Sequence, residues 1–296
     1  MPFVINMNNR VPELRDSLSE VPFRILMCFK DIQIGIGTAF TYSYKGQLYL
    51  VTNWHNVTGR EPSTLKLKSR DAAIPDRLII EIPVMVEASG TKQSEIEMIH
   101  MEWCEAEFLL YEDICDSPTK PVWYEHPQYG HKVDVVVAPI NLPEEVAICP
   151  ANDPKLNLST VLLRPSLDVF VLGFPRGMSG GAKFPVWKRG SIASEPEIDV
   201  DDLPKILIDT ATREGMSGSP VYLCQIGYFQ SEEKYDIGGY KRCLGEGRRF
   251  LGVYSGRVGD DNFQAQLGVV WKSSIIEEII QAAQVGKSSF ELSCIS

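Results

Sequence analysis

The chain has 296 residues, of which 44% are hydrophobic, and its formal net charge is -10 at pH 7. That length and composition can support a large buried core, so we expect a soluble globular protein without further modules. A net negative charge argues against nucleic acid as a main partner, because the phosphate backbone is bound through clustered cations. We expect no membrane insertion and no export, since no segment has the ~20 apolar residues of a membrane span and no secretion signal is evident.

Residues 1–22 mix polar and apolar types and are interpreted as an N-terminal extension. Pro12 suits the start of a helix, which predicts a short helix over residues 13–19.

Short β-prone runs separated by turn residues follow from residue 23, which is typical of an all-β barrel or sandwich. Gly46 can take a positive φ in a hairpin turn, and this turn leads into the strand that ends just before His55. The predicted strands of this first half, residues 23–150, are 23–29, 37–44, 47–52, 78–82 and 133–138.

His55 follows an apolar strand, which is a setting that a catalytic imidazole requires. His126 and His131 are alternatives, either as the imidazole or as a metal-binding pair, but both are expected to be loop residues. The chain has no Cys-x-x-Cys pair and no His-Glu-x-x-His motif, so we expect no metal and no other cofactor.

Asp134 is the candidate for the carboxylate that orients the imidazole. It leads the apolar run 133–138, which could bury it beside His55. Asp113 and Asp116 are competitors, but they lie beside a turn rather than at the start of an apolar strand.

Turn-forming residues are concentrated in 148–159, which predicts the crossover between two halves of the molecule. The second half, residues 151–272, contains six more β-prone runs: 168–173, 186–193, 205–210, 219–224, 249–254 and 266–271. The segment 225–247 is either a surface hairpin or a regulatory insertion.

Ser217 lies between Gly215 and Gly218 and is followed by the apolar run 221–223. Glycines allow a tight turn there, so the amides of Gly215 and Ser217 could point at a developing oxyanion. A hydroxyl, an imidazole and a carboxylate are the three groups that acyl transfer through a serine nucleophile needs.

Ser179 also fits a Gly-x-Ser-x-Gly motif, which is typical of α/β-hydrolases. That fold requires a histidine after the serine, and all four histidines precede Ser179. Ser179 is also a poorer nucleophile candidate here, because no strand follows it directly.

Residues 273–296 change to a helical pattern. Ser274 and Glu277 predict a capping box, an apolar stripe follows, and Gly286 could end the helix. The stripe comprises Ile275, Ile276, Ile279, Ile280 and Ala283.

The chain has seven cysteines, an odd number without the regular spacing of a secreted disulfide framework. We therefore expect a reducing compartment, the cytoplasm.

The motifs around residues 35–40, His55, Asp134, 172–175, Ser217 and 252–256 together resemble the trypsin-like serine peptidases, in an intracellular bacterial-type branch that lacks disulfides. The resemblance spans roughly residues 23–271 and implies two six-stranded antiparallel β-barrels, followed here by the C-terminal helix. It also implies His55 as general base and acid, Asp134 as its orienting carboxylate, Ser217 as nucleophile, and Gly215 with Ser217 as the oxyanion hole.

By the same resemblance the base of the specificity pocket is Ala211, with walls at Ser255, Gly256, Arg257 and Gly268. Met216 stands where secreted relatives usually carry an acidic residue, which argues against activation by zymogen cleavage and favours control by an activating partner protein, a ligand or the mobility of loops. The acidic run within residues 195–202 and the cation Arg257 give conflicting indications of substrate charge.

These features predict a serine endopeptidase that hydrolyses protein or peptide substrates through an acyl-enzyme. Two alternatives remain open: a silent double-barrel pseudo-protease that binds a partner, and a protease that cleaves mainly itself.

Overall fold

The computed structural model describes residues 4–12, 15–69, 71–86, 98–112, 120–143, 146–158, 160–211, 213–258 and 266–292. The protein is mostly β-structure, as the sequence predicts, and its strands form two main sheets. The competing carboxylates Asp113 and Asp116 and two of the cysteines, Cys115 and Cys294, lie outside the described residues.

The first sheet has seven antiparallel strands in the order β1-β6-β5-β2-β3-β4-β9. Lys45 and Gly46 both have positive φ, which gives the β3–β4 hairpin the predicted tight turn. The strands are β1 (Val4–Pro12), β2 (Pro22–Phe29), β3 (Ile32–Tyr44), β4 (Gln47–Thr52), β5 (Arg77–Val86), β6 (Met98–Leu109) and β9 (Val136–Ile140). Two short strands, β7 (Tyr111–Glu112) and β8 (Lys120–Pro121), pair separately.

Six strands between β2 and β9 belong to this sheet in the described chain, as predicted for the first barrel, but the predicted closure is wrong. β6 pairs with β5 along one edge and with β1 along the other, so both of its edges are occupied. β9 therefore pairs with β4 alone among the strands of the described chain, and the sheet stays open. The N-terminal extension is thus an added strand of this sheet.

Residues 13 and 14 of the predicted N-terminal helix lie outside the described residues, and over residues 15–19 the prediction of an α-helix is wrong. β1 runs to Pro12, and a single 3-10 turn covers Ser17–Glu20. The Asp16 side chain accepts a hydrogen bond from the Leu18 amide at 3.0 Å, so the helical turn starts only at this cap.

The second sheet is a closed six-stranded barrel in the order β10-β11-β12-β15-β14-β13. The six predicted strands are all present, and β10 has the predicted bounds. The insertion 225–247 continues β13 and β14 as a long hairpin beyond the barrel. The bounds are β10 (Asp168–Gly173), β11 (Val186–Ile192), β12 (Lys205–Asp209), β13 (Pro220–Lys234), β14 (Tyr240–Arg257) and β15 (Leu267–Lys272).

Two helices complete the described fold: α1 (Trp54–Thr58) directly after β4, and α2 (Ser274–Ala282) after β15. The four isoleucines of the predicted stripe are buried on α2. The predicted capping box is wrong because Ser273 is the N-cap residue and Ser274 is already helical. Ala283 is the C-cap in a left-handed conformation, so it ends the helix three residues before Gly286.

One buried cluster joins the two sheets and α2. Phe40 of the first sheet packs edge-on against Phe250 of the second, with ring centroids 5.6 Å apart. Ile276 and Ile279 of α2 belong to the same cluster. The two sheets therefore share one core, which fixes the position of the loops of one sheet relative to those of the other.

Candidate active site

His55 and Asp134 come together as the sequence predicts. His55 is the second residue of α1 and Asp134 precedes β9, and both are almost fully buried. β4 and β9 are neighbouring antiparallel strands, which brings the end of one beside the start of the other. His55 Nδ1 lies 2.7 Å from Asp134 Oδ2, and the His55 amide donates to Asp134 Oδ1 at 2.9 Å. With Nδ1–H directed at the carboxylate, Nε2 is left as the basic nitrogen.

The Asp134 carboxylate accepts a third hydrogen bond, from a residue that the sequence analysis placed in the wall of the specificity pocket. The Ser255 hydroxyl donates to Oδ2 at 2.5 Å, while the Asn53 side chain donates to the Asp134 carbonyl at 2.6 Å. A buried carboxylate is costly unless its oxygens are hydrogen-bonded, so Ser255 supplies part of the coordination that Asp134 needs at this buried position. The predicted role of Ser255 as a pocket wall gave no sign of this contact.

Ser217 lies in the tight loop before β13. Gly215 and Gly218 both have positive φ, at 91° and 87°. A Cβ on Gly218 would lie 2.0 Å from the Thr38 carbonyl oxygen, so the loop packs directly on β3. The two predicted glycines are therefore required both by conformation and by the close approach of the backbone.

The first sheet holds this loop through hydrogen bonds that were not foreseen. The Thr38 amide donates to the Ser217 carbonyl at 2.8 Å, and the Thr38 hydroxyl donates to the Gly215 carbonyl at 2.9 Å. The Asn56 side chain adds a bond to the Ser217 carbonyl at 3.2 Å. With these carbonyls turned toward Thr38 and Asn56, the peptide groups of the loop are fixed in orientation. Thr38 lies in one of the recognised motifs, but only the meeting of the two sheets assigns it this contact.

The Ser217 hydroxyl donates a hydrogen bond to the Ser255 carbonyl oxygen at 3.4 Å. No hydrogen bond joins Ser217 to His55 among the residues that the structure describes. Catalytic hydrogen bonds are often long in the unliganded state and tighten with substrate, so this arrangement is compatible with a nucleophile and base pair.

A cleft of about 1090 Å³ passes beside these residues, lined by His55, Asp134, Ser217 and the end of β14. Of the predicted pocket residues, Ser255, Gly256 and Arg257 line it, whereas Ala211 and Gly268 do not. The buried Tyr254 ring occupies the space beside Gly268, where a Cβ would lie 2.6 Å from Tyr254 Cε2. Ala211 is exposed.

Two of the alternative residues have other surroundings. His126 is buried against Glu278, with Nε2 3.2 Å from the carboxylate. Ser179 is exposed and lines neither the cleft nor the smaller hollow beside Ser217. His131 does line the cleft, where burial lowers its pKa, and its ring centroid is 5.9 Å from that of Trp54.

Met216, the residue that replaces the acidic residue usual in secreted trypsin-like peptidases, is fully buried in the core of the second barrel.

Within the described ranges no group of three or more His, Cys, Asp or Glu side chains could hold a metal ion. The same ranges contain no helix long and apolar enough to cross a membrane.

No protein-family model matches the chain, and a search of curated proteins gave no match. Several solved structures are similar in fold. An HtrA-type protease with a bound tripeptide is 14% identical with a TM-score of 0.44, and the alignment covers 89% of this chain and 60% of that chain. A serine endoprotease from Yersinia pestis is 12% identical with a TM-score of 0.45, covering 91% and 67%. The inactive form of Rv3671c from M. tuberculosis H37Rv is 19% identical with a TM-score of 0.42, covering 94% and 96%.

Proposed function

We propose that the protein is a serine endopeptidase that works through His55, Asp134 and Ser217. The observation that carries the proposal is the buried His55–Asp134 pair, with Nδ1 and Oδ2 2.7 Å apart, in the cleft that Ser217 also lines. An imidazole held in this tautomer by a buried carboxylate is the arrangement that activates a serine hydroxyl.

In the proposed reaction, His55 Nε2 takes the proton of the Ser217 hydroxyl as Oγ attacks the substrate carbonyl carbon. The carbonyl oxygen becomes an oxyanion, which the amides of Gly215 and Ser217 stabilise. His55 then gives the proton to the leaving amine, and the acyl-enzyme remains on Ser217. A water molecule, deprotonated by His55, hydrolyses this ester and restores the hydroxyl.

The end of β14 is a suitable place for the acyl half of the substrate. Ser255, Gly256 and Arg257 line the cleft that Ser217 also lines, and Gly256 and Arg257 pair with β15. An extended peptide can add to such a strand end through main-chain hydrogen bonds. This supports a protein or peptide substrate rather than a small molecule.

The setting of the reaction is also part of the proposal. Five described cysteines are free, which supports a reducing compartment such as the cytoplasm and an intracellular branch without disulfides. We propose action without a cofactor, and an activating partner protein rather than zymogen cleavage, because Met216 offers no carboxylate to capture a new amino terminus.

Two observations favour the second candidate, a silent partner-binding module. The Ser217 hydroxyl is directed to the Ser255 carbonyl, and the Tyr254 ring fills the space beside Gly268. Both features are those of a site that is closed to substrate.

Labelling with a fluorophosphonate separates the two candidates, because only an activated serine reacts quickly. The endopeptidase proposal expects one label at Ser217, located by mass spectrometry and absent from Ser217→Ala. Labelling at Ser179 would overturn the assignment of the nucleophile. A folded protein that takes no label, either alone or with a cell lysate added as a source of the activating partner, would support the binding module.

A further inference from the structure

A second hollow lies beside Ser217. It has a volume of about 160 Å³ and shares His55, Glu214 and Ser217 with the cleft described above, whereas Gly215 lines the hollow alone. Three apolar side chains form much of its wall: Met27 from β2, and Ile34 and Ile36 from β3. All three are partly exposed, so a bound group would cover them.

The hairpin of β2 and β3 builds this wall through one glycine. Met27 and Gly35 face each other across the two strands. A Cβ on Gly35 would lie 2.5 Å from Met27 Cε, so the methionine side chain lies over the place where residue 35 has none. The apolar wall therefore depends on the pairing of a large side chain with a glycine.

The position of the hollow relates it to one half of the substrate. The acyl half of the substrate, on the amino-terminal side of the scissile bond, would lie along the end of β14 in the large cleft. The amine half, which leaves after acylation, must then lie on the other side of Ser217, in space that β14 does not line. The hollow is that space, because Ser255 and Gly256 line the cleft and not the hollow.

We infer that the hollow is a binding subsite that selects an apolar side chain immediately after the scissile bond. This inference rests on the proposed endopeptidase function. The size fits one side chain, since an apolar cavity of about 150 Å³ holds a molecule as large as benzene. Lys68 and Glu214 line the hollow with opposite charges, so neither sign of ligand charge is favoured, and a charged group would be desolvated against Met27 and Ile34.

The test is cleavage of a mixed peptide library, with cut positions identified by mass spectrometry. The wild-type chain is compared with Ile34→Lys and with the matched control Ile32→Lys. Ile32 is two residues away on the same strand, is 65% exposed and does not line the hollow. Fluorophosphonate labelling of each variant reports whether Ser217 is reactive and whether the fold is intact.

We expect Leu, Met and Phe after the cut to be favoured over Asp by at least about tenfold in the wild type and in Ile32→Lys. In Ile34→Lys that preference is expected to fall severalfold, while labelling of Ser217 continues. Cleavage with no apolar preference at this position, or an equal effect of the two lysines, would overturn the subsite and leave the endopeptidase standing. Absence of both labelling and cleavage would overturn the endopeptidase and the subsite together.

Discussion

Ser289 ties the C-terminal segment to the turn of chain that follows α1, and we expect Ser289→Ala to be strongly destabilising. Its hydroxyl accepts a hydrogen bond from Arg60 Nε at 2.9 Å and donates to the Thr58 carbonyl at 2.7 Å. Arg60 is only 6% exposed, so its guanidinium depends on these protein partners in place of water.

The magnitude follows from the two lost bonds. A hydrogen bond to a charged group contributes about 1.5–3 kcal/mol and a neutral one about 0.5–1.5 kcal/mol. The Ser289 carbonyl still accepts from Arg60 Nη2 at 2.9 Å in the variant, so the guanidinium keeps part of its coordination. We expect the free energy of unfolding to fall by about 2–4 kcal/mol.

The neighbouring serine provides a matched control. Ser288 is equally buried, but its Oγ has no hydrogen-bond partner within the described chain. Ser288→Ala removes an unsatisfied polar atom, so its effect should be close to zero or slightly stabilising.

Urea unfolding of the wild type and both variants measures these differences. Equal losses in Ser288→Ala and Ser289→Ala would refute the reasoning, because packing alone would then account for both. A loss below about 0.5 kcal/mol in Ser289→Ala would also refute it, since that is the lower limit for a single neutral bond.

Four further outcomes are expected. Asp134→Asn should lower kcat by about 10⁴-fold, because the amide favours the wrong imidazole tautomer; an unchanged kcat would remove Asp134 from the mechanism. Ser255→Ala should lower the free energy of unfolding by about 1.5–3 kcal/mol through loss of its bond to that carboxylate, which urea unfolding tests against the milder Ser255→Thr. Burial raises the pKa of Glu81, but the hydrogen bonds and positive charges of Arg24 and Lys183 together outweigh this, so the net pKa is lowered. The stabilisation from Glu81 is therefore present above its unfolded-state pKa and lost as pH falls through the folded-state pKa. Unfolding of Glu81→Gln against pH should lack that acidic loss, and a wild-type profile that is flat at acid pH would contradict it. Burial raises the pKa of Cys224 to about 12, so this thiol should react with iodoacetamide at pH 8 far more slowly in the folded protein than in urea, and equal rates would contradict its burial.

Local sequence signals were sufficient for most of the strands and for the candidate residues themselves. Short β-prone apolar runs bounded by turn formers mark β2, β4 and β10, because strands with a buried core face are rich in such residues. The tight turn around Ser217 could be predicted from its glycines, because a positive φ excludes most other residues. His55 and Asp134 could be selected because each adjoins an apolar strand.

The errors arose where a distant strand decides the local structure. β1 and β6 were not predicted as strands, although they pair with each other over eight residues on each side. Neither has a clear alternation of apolar residues, so their conformation depends on the partner. That pairing also prevents closure of the first barrel, which no local pattern reveals.

The specificity pocket shows the same limit at the level of side chains. The family resemblance predicted that Ala211 forms the base of the pocket. Whether the pocket is open depends on which side chain occupies it, and here the Tyr254 ring lies in the space beside Gly268. The hollow lined by Met27 could likewise not be predicted from the sequence, because its wall is formed by side chains from two paired strands.

The sequence by itself therefore determined which residues can supply a nucleophile, a base and a carboxylate, since that depends on chemistry and on short-range backbone conformation. Only the tertiary structure decided which partners those groups meet: Ser255 on Asp134, Thr38 on the Ser217 loop, and Met27 opposite Gly35. The physical reason is that hydrogen bonds and close packing act over a few ångströms, and residues far apart in the chain reach that distance only when the two sheets pack together.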